Sequence, residues 1–146
     1  MKNYELLNCN HVKYFDELST AMSLSTHFRM HVSGDIPNDY YFYCLVKIIK
    51  ENPGCQVLMF TKQYEIVNRY LEYGHKLPKN LKLLFSGWNE WQPENPYKFP
   101  KTDVIKTIDE LPKNGILCNG NCSECVCRNT GCWTLKKGQT LYFIKH

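Results

Sequence analysis

Residues 55–60 read CQVLMF, and this run decides the fold. A strand that is apolar at nearly every position suits burial on both faces of a sheet, as in parallel sheets. Residues 81–85 (LKLLF) form a second run of this kind, and residues 27–32 (HFRMHV) also have strand character. Helical patterns separate the three segments, so the order is strand, helix, strand, helix, strand. Right-handed crossovers make such strands parallel.

Helices are predicted where a capping residue precedes apolar side chains at helical spacing. The predicted caps are Asn10, then Asn38 or Asp39, and then Thr61. Short strands are expected at residues 104–108, 115–117 and 140–144. We therefore predict an α/β fold. A single domain, residues 1–146, holds a short, mostly parallel, half-barrel-like sheet with about three helices, closed by a C-terminal metal-binding loop.

Composition limits where the protein works and what it binds. The amino-terminal MKNYELLNCN has no apolar signal core, and no run approaches the length of a membrane span. We expect a cytoplasmic protein with no membrane partner. The net charge of +4 and the pI of about 8.6 are mildly basic, and the lysines are spread along the chain. This pattern argues against direct nucleic-acid binding, because a binding groove would show denser Lys and Arg with interleaved aromatics.

Five cysteines lie within residues 118–132, in the stretch CNGNCSECVCRNTGC. Cys122 and Cys125 have the C-x2-C spacing that lets two thiolates reach one ion from a tight turn, and turn-forming residues separate the others. Four sulfurs suit a closed tetrahedral zinc site or an iron–sulfur cluster. A disulfide cluster is the alternative, although disulfide scaffolds are usually shorter and secreted. Cys44 and Cys55 lie in apolar runs and are expected in the core.

The expected metal ligands are Cys118, Cys122, Cys125 and Cys132. The first and last close the two ends of the loop, and each adjoins an apolar residue that can anchor it. Cys127 is the alternate ligand. It is only two positions from Cys125, so both can hardly point at one ion without strain.

Polar residues follow each of the three parallel strands. Asp35, Lys62, Ser86 and Trp88 should therefore share the carboxyl rim of the sheet, where α/β proteins bind ligands, with His31 one residue deeper. We expect a vestigial small-molecule site there. The simpler interpretation, that such residues are helix caps and turn formers, is favoured because caps are needed whether or not a ligand binds.

An aromatic, proline-rich loop follows Gly87. Trp91, Tyr97 and Phe99 are the expected partner-binding residues, because aromatics on a rigid loop bury much area at little entropic cost. The alternative is that the loop covers an open edge of the sheet. We favour covering for Trp88, which adjoins the strand end, and a partner interface for Trp91, whose neighbours are polar.

Several motifs together resemble a phage and mobile-element family of numbered gene products, whose members look like small radical-SAM-type barrels. The motifs are HVSGD, VLMFTK, LLFSGW, ILCNGNCSEC with GCW, and the ending KKGQTLYFIKH, and the resemblance covers roughly residues 10–146. The C-x3-C-x2-C spacing of a catalytic cluster is missing before the first strand. It recurs from Cys118 to Cys125, after the last of the three parallel strands, where further thiols can close the coordination. The resemblance implies that this chain corresponds to the C-terminal half of such a barrel. The auxiliary metal loop is kept and the catalytic cluster is lost.

The resemblance implies a non-catalytic metalloprotein that works in the cytoplasm of a bacterial host and binds a protein partner there. Small phage proteins with decayed enzyme folds suggest an anti-CRISPR inhibitor of a Cas effector such as Cas9. One alternative is a small radical-SAM-like or iron–sulfur enzyme that uses the strand-end rim. Another is a zinc-loop nucleic-acid binder. Metal identity separates the first two, because a closed zinc site is structural and a cluster restores the possibility of catalysis.

Overall fold

The structure is a computed structural model that describes residues 3–32, 34–87 and 91–145. Six strands form one all-parallel, open sheet in the order β1-β2-β3-β4-β6-β5. The α/β class and the parallel sheet predicted from the sequence are confirmed. The strands are β1 (His27–Met30), β2 (Gln56–Thr61), β3 (Leu81–Ser86), β4 (Lys101–Ile105), β5 (Ile116–Leu117) and β6 (Thr140–Ile144).

Five α-helices are present in the described residues, two more than the three expected. The additional helices are α1, at the amino terminus, and α5, inside the cysteine-rich stretch. Two short 3-10 helices lie at Ile108–Glu110 and Gly131–Trp133. The α-helices are α1 (Asn3–Cys9), α2 (His11–Ser23), α3 (Asp39–Glu51), α4 (Tyr64–Glu72) and α5 (Cys122–Arg128).

Two of the three predicted helix caps are confirmed. The side chains of Asn10 and Asn38 each accept a hydrogen bond from the backbone N–H three residues further on, at 3.0 and 2.8 Å. The prediction for Thr61 is wrong, because β2 continues through this residue and α4 begins only at Tyr64. The Thr61 hydroxyl instead accepts from the Gln63 backbone N–H at 2.9 Å and shapes the turn between strand and helix.

One face of the sheet, the helix face, packs against α2, α3 and α4. Alternate residues of the central strands point to this face, because side chains of a strand alternate between its two sides. Cys55 is buried in this cluster and Cys44 packs against it, as expected. The core of the helix face includes Phe15, Met22, Phe42, Leu45, Ile49, Val57, Met59, Val67, Leu83 and Phe85.

The opposite face, the cysteine face, carries a smaller apolar cluster of four buried leucines. Leu58, Leu84 and Leu141 come from the strands, and Leu135 comes from the chain that crosses above them. We name residues 118–135 the cysteine segment. It lies on this face where a doubly wound α/β fold would place a second layer of helices. The cysteine segment is therefore part of the architecture of the sheet.

Candidate functional site

The cysteine segment contains a short helix where the sequence predicted a loop. The Asn121 side chain accepts from the Glu124 backbone N–H at 3.0 Å and starts α5 at Cys122. Cys122 and Cys125 therefore lie on one turn of a helix, and the tight turn of a loop that the sequence predicted between them is wrong. The signal was present, since an Asn followed three residues later by a Glu is typical of a helix start. Asn129, in the left-handed conformation with φ 49°, ends α5 and turns the chain back.

Four of the five thiols in this segment line one cleft. The cleft has a volume of about 250 Å³ and lies between the cysteine segment and the sheet. Cys127 is exposed and is not among the lining residues. The thiols lining the cleft are the four expected ligands, Cys118, Cys122, Cys125 and Cys132, and their role in binding a metal stays a prediction.

The thiols are not gathered around a point. Across the part of the chain that the structure describes, no group of three or more His, Cys, Asp or Glu side chains is arranged so that it could hold a metal ion. An ion could bind to these thiols only if their side chains rotated towards a common centre. The lack of a side chain at Gly131 makes room for the sulfur of Cys125. A Cβ at this position, which has φ 62°, would lie only 2.9 Å from the Cys125 Sγ. In their chemistry, as distinct from their positions, four soft sulfur donors around one cleft match zinc or an iron–sulfur cluster.

Burial and the neighbouring thiols keep Cys132 protonated. Its pKa is raised to about 12, first by burial and then by Cys118, Cys122 and Cys125, while Arg29 opposes the shift. At neutral pH this sulfur is therefore a thiol, and a bound metal would have to displace its proton. The same electrostatic coupling shows that Cys118, Cys122 and Cys125 each lie near Cys132.

Arg29 is the cation that faces these thiols from the sheet. Its Nη1 atom donates to the Cys122 Sγ at 3.3 Å, and its guanidinium lies 5.0 Å from the centre of the Phe60 ring. Stacking on Phe60 fixes the guanidinium over the cysteine face. No sequence pattern points to Arg29, because nothing local connects β1 with a segment 93 positions further along the chain.

Two other basic side chains of the same face also contact the cysteine segment. Lys82 Nζ donates to the Leu135 carbonyl at 2.7 Å, and burial lowers the pKa of this amine. The His27 ring meets the Trp133 ring edge-on, with 5.0 Å between the ring centroids. The segment is therefore tied to β1 and β3 by polar and aromatic contacts as well as by the leucines.

The carboxyl rim is occupied by structural hydrogen bonds. The Asp35 carboxylate accepts from the Thr61 hydroxyl at 2.5 Å and from the backbone N–H groups of Ile36 and Lys62, each at 2.7 Å. The carbonyl of Ser86 accepts a hydrogen bond from the Tyr64 hydroxyl. Asp35 therefore joins the β1–α3 connection to the end of β2, which agrees with the interpretation as a turn former. Trp88, the fourth predicted rim residue, lies outside the described residues.

The aromatic loop divides into two parts. Trp91 is 70% exposed, whereas Tyr97 and Phe99 are half-buried. The Phe99 ring lies 4.9 Å from the Phe85 ring of the core, and Tyr97 contacts Phe99 at 6.4 Å. Phe99 therefore covers part of the core beside β3, whereas the alternative role expected for this loop was to cover an open edge of the sheet. Trp91 is the residue whose side chain faces solvent.

Comparisons with known proteins place part of the chain in a family. The family model described as Gene product 88 matches residues 3–115. No curated protein and no solved structure matches the chain. The family match ends before the cysteine segment, so the metal hypothesis depends on the residues of this chain alone. Among the described helices, none is long and apolar enough to cross a bilayer.

Proposed function

The chain belongs to the Gene product 88 family, a phage-type gene-product family, and from this premise we propose that it is a non-catalytic metalloprotein that binds a bacterial protein. The observation that carries the metal half of the proposal is the cleft lined by four cysteines. The observation that carries the partner half is the exposed indole of Trp91.

The proposed ligands are Cys118, Cys122, Cys125 and Cys132, with zinc as the metal. A zinc ion supplies a cross-link between the two ends of the cysteine segment and has no open position for chemistry once four sulfurs bind it. Arg29 supports this assignment, since a cation that donates to Cys122 offsets part of the negative charge of four thiolates. The cross-link would fasten the segment to the cysteine face of the sheet.

An iron–sulfur cluster is the second candidate, and the size of the cleft favours it. A cleft of about 250 Å³ whose thiols are not gathered at one point leaves more space than a single ion needs. A cluster separates its ligand sulfurs further than a zinc ion does. With a cluster bound, the protein could be an enzyme. Formation of 5′-deoxyadenosine from S-adenosylmethionine would detect such an activity.

Metal analysis of the purified chain, prepared with and without oxygen, tests this half of the proposal. We expect a colourless protein with one zinc per chain. Changing any of the four proposed ligands to Ser should lower the metal content, whereas Cys127→Ser is the matched control and should retain it. A brown protein with bound iron would show that the metal centre is an iron–sulfur cluster and not zinc. A wild-type chain that binds neither metal would reject the metal centre.

The proposed partner is a Cas effector such as Cas9, blocked at its nucleic-acid-loading surface or in a mobile domain. Support comes from the phage-type family and from Trp91, because exposed tryptophans are frequent anchors of protein interfaces. Cys-dependent folding of the segment and partner binding through Trp91 are separate properties, so each can be tested without the other.

An inhibition assay with purified Cas9, guide RNA and a DNA substrate tests the partner half. The wild-type chain should inhibit cleavage, and Trp91→Ala should weaken inhibition by roughly tenfold or more, as loss of an interface anchor does. Tyr73→Ala removes another exposed aromatic, at the end of α4, and should leave inhibition unchanged. Absence of inhibition by the wild-type chain in molar excess would reject Cas9 as the target. Full inhibition by Trp91→Ala would remove this residue from the interface.

A further inference from the structure

A second cleft opens on the helix side of the sheet, beyond the carboxyl end of β1. Its volume is about 640 Å³, which falls within the range of small-molecule sites. Helix α2 forms one wall, the start of α3 forms another, and the β1–α3 connection lies between them. The aromatic and imidazole side chains lining the cleft are His11, Tyr14, Phe15, His31, Tyr40 and Tyr41.

Hydrogen bonds between side chains fix the inner wall of this cleft. His31 Nε2 lies 3.2 Å from the Tyr41 hydroxyl, and that hydroxyl lies 3.0 Å from the hydroxyl of Tyr14. The three residues come from the end of β1, from α3 and from α2, so the contacts join three elements. The rings are therefore held in place before any ligand arrives, which reduces the entropy lost on binding.

His31 has two unusual features for a residue with a purely structural role. Its φ of 54° lies in the left-handed region, and its buried Nδ1 has no hydrogen-bond partner in the described part of the chain. Strained backbone and unpaired buried polar atoms are concentrated at functional sites. Burial lowers the pKa of this imidazole more than Asp35 raises it, so His31 adds no positive charge to the cleft at neutral pH.

The electrostatic character of the cleft favours a cation. Asp35 is a lining carboxylate, and no lysine or arginine is among the described residues that line the cleft. Tyr14 and Tyr40 are the lining tyrosines that are not buried, and the negative potential of aromatic faces attracts cations. An anionic ligand would meet repulsion from Asp35, and none of the described residues that line the cleft is a lysine or arginine that could offset it.

The hydrogen-bonding groups limit which cation fits. The Tyr14 and Tyr41 hydroxyls are engaged with each other, and the Asp35 carboxylate already accepts three hydrogen bonds. A primary ammonium needs acceptors for three N–H groups and is costly to bury without them. A quaternary ammonium has no N–H group to satisfy. We infer that this cleft binds a small quaternary ammonium compound through its aromatic walls, a ligand independent of the proposed metal and protein partner.

Titration with choline tests this inference, with 3,3-dimethyl-1-butanol as an uncharged compound of the same shape. Binding is followed by calorimetry and by tyrosine fluorescence on the full chain. We expect saturation by choline in the millimolar range or below, and roughly tenfold weaker binding of the uncharged compound, the size of a cation–π contribution. Equal binding of the two compounds, or no saturation by choline, would overturn the inference.

Tyr40 provides the variants for this test, because it lines the cleft and is 61% exposed, so its replacement should not prevent folding. Tyr40→Leu removes the ring and should weaken choline binding about fivefold to tenfold, whereas Tyr40→Phe retains the ring and should keep it. Tyr73→Leu, at an exposed site away from the lining residues, should also keep it. Circular dichroism shows whether each variant is folded. Unchanged choline binding by folded Tyr40→Leu would contradict the assignment of this cleft.

Discussion

The two faces of the sheet are stabilised in different ways. The helix face packs against three helices through a continuous apolar core that includes Phe42, Leu45 and Phe85. The cysteine face has four buried leucines under a segment that also relies on contacts made by Arg29 and Lys82. A large apolar core stabilises its face by burial alone. The cysteine face has a smaller core, which is consistent with the metal cross-link that we propose.

This difference also separates what each face can do. The helix face gains its order from packing, so its surface features, such as the cleft near His31, are present without a cofactor. In our proposal, the order of the cysteine face depends in part on four thiols, and the state of a thiol changes with metal and oxidation. Three substitutions, taken from the largest expected effect to the smallest, test this comparison.

Removing a large side chain from the helix face should have the largest effect. Phe42 is fully buried, and Phe42→Ala should lower the free energy of unfolding by about 3–5 kcal/mol, the cost of a large aromatic lost from a core. Tyr43→Ala, at the next position of α3 and half exposed, is the matched control and should cost much less. Denaturant unfolding monitors both. Equal losses for the two variants would mean that the helix face is not the main core.

Removing a proposed metal ligand should affect the cysteine face. In the metal-loaded protein, Cys125→Ser should lower the free energy of unfolding by about 3 kcal/mol, the stabilisation expected from a ligand present at a few hundred times its Kd. A chelator should lower the melting temperature of the wild type and of Cys127→Ser, and it should leave Cys125→Ser unchanged. The structural role of the metal is refuted if Cys125→Ser loses metal and keeps the full melting temperature.

Replacing Lys82 should have the smallest effect. Lys82→Met removes the hydrogen bond to the Leu135 carbonyl and also removes a partly buried charge, so at pH 7 the two effects should leave a change of about 1 kcal/mol or less. The lowered pKa of Lys82 means that the unfolded chain binds more protons near pH 10. Wild-type stability should therefore rise relative to Lys82→Met as the pH increases from the depressed pKa towards about 10.4, the pKa of a free lysine.

One outcome of the pH series would contradict the prediction for Lys82. If the difference in unfolding free energy between the wild type and Lys82→Met is constant across this pH window, Lys82 is solvated in the folded protein. Its contact with the cysteine segment would then contribute little to the order of that face.

The strands were predictable where apolar residues were continuous. The predicted runs at 55–60 and 81–85 agree with β2 and β3 to within one residue, and the prediction at 140–144 is confirmed as β6. β4 begins at Lys101, three residues before the predicted start, because its first residues pair with the end of β3. Pairing with a neighbouring strand is not visible in the local pattern.

The helices show the same limit. Asn10 and Asn38 were predictable as caps because a cap acts on backbone only three residues away. Helix α5 was missed because its seven residues lack the apolar spacing on which the prediction relied, although Asn121 and Glu124 carried a capping signal.

The sequence by itself determined the α/β class and the alternation of strands and helices, and its choice of four cysteines over Cys127 as metal ligands stays a prediction. These properties follow from periodicity, capping and spacing, which act over a few residues. Only the tertiary structure decided that Arg29 meets Cys122, that Phe99 covers the core, and that the cysteine segment lies on one face of the sheet. Such contacts depend on strand register, because a shift of one residue moves every side chain of a strand to the other face of the sheet. No local pattern of residues encodes a register that joins positions 93 residues apart.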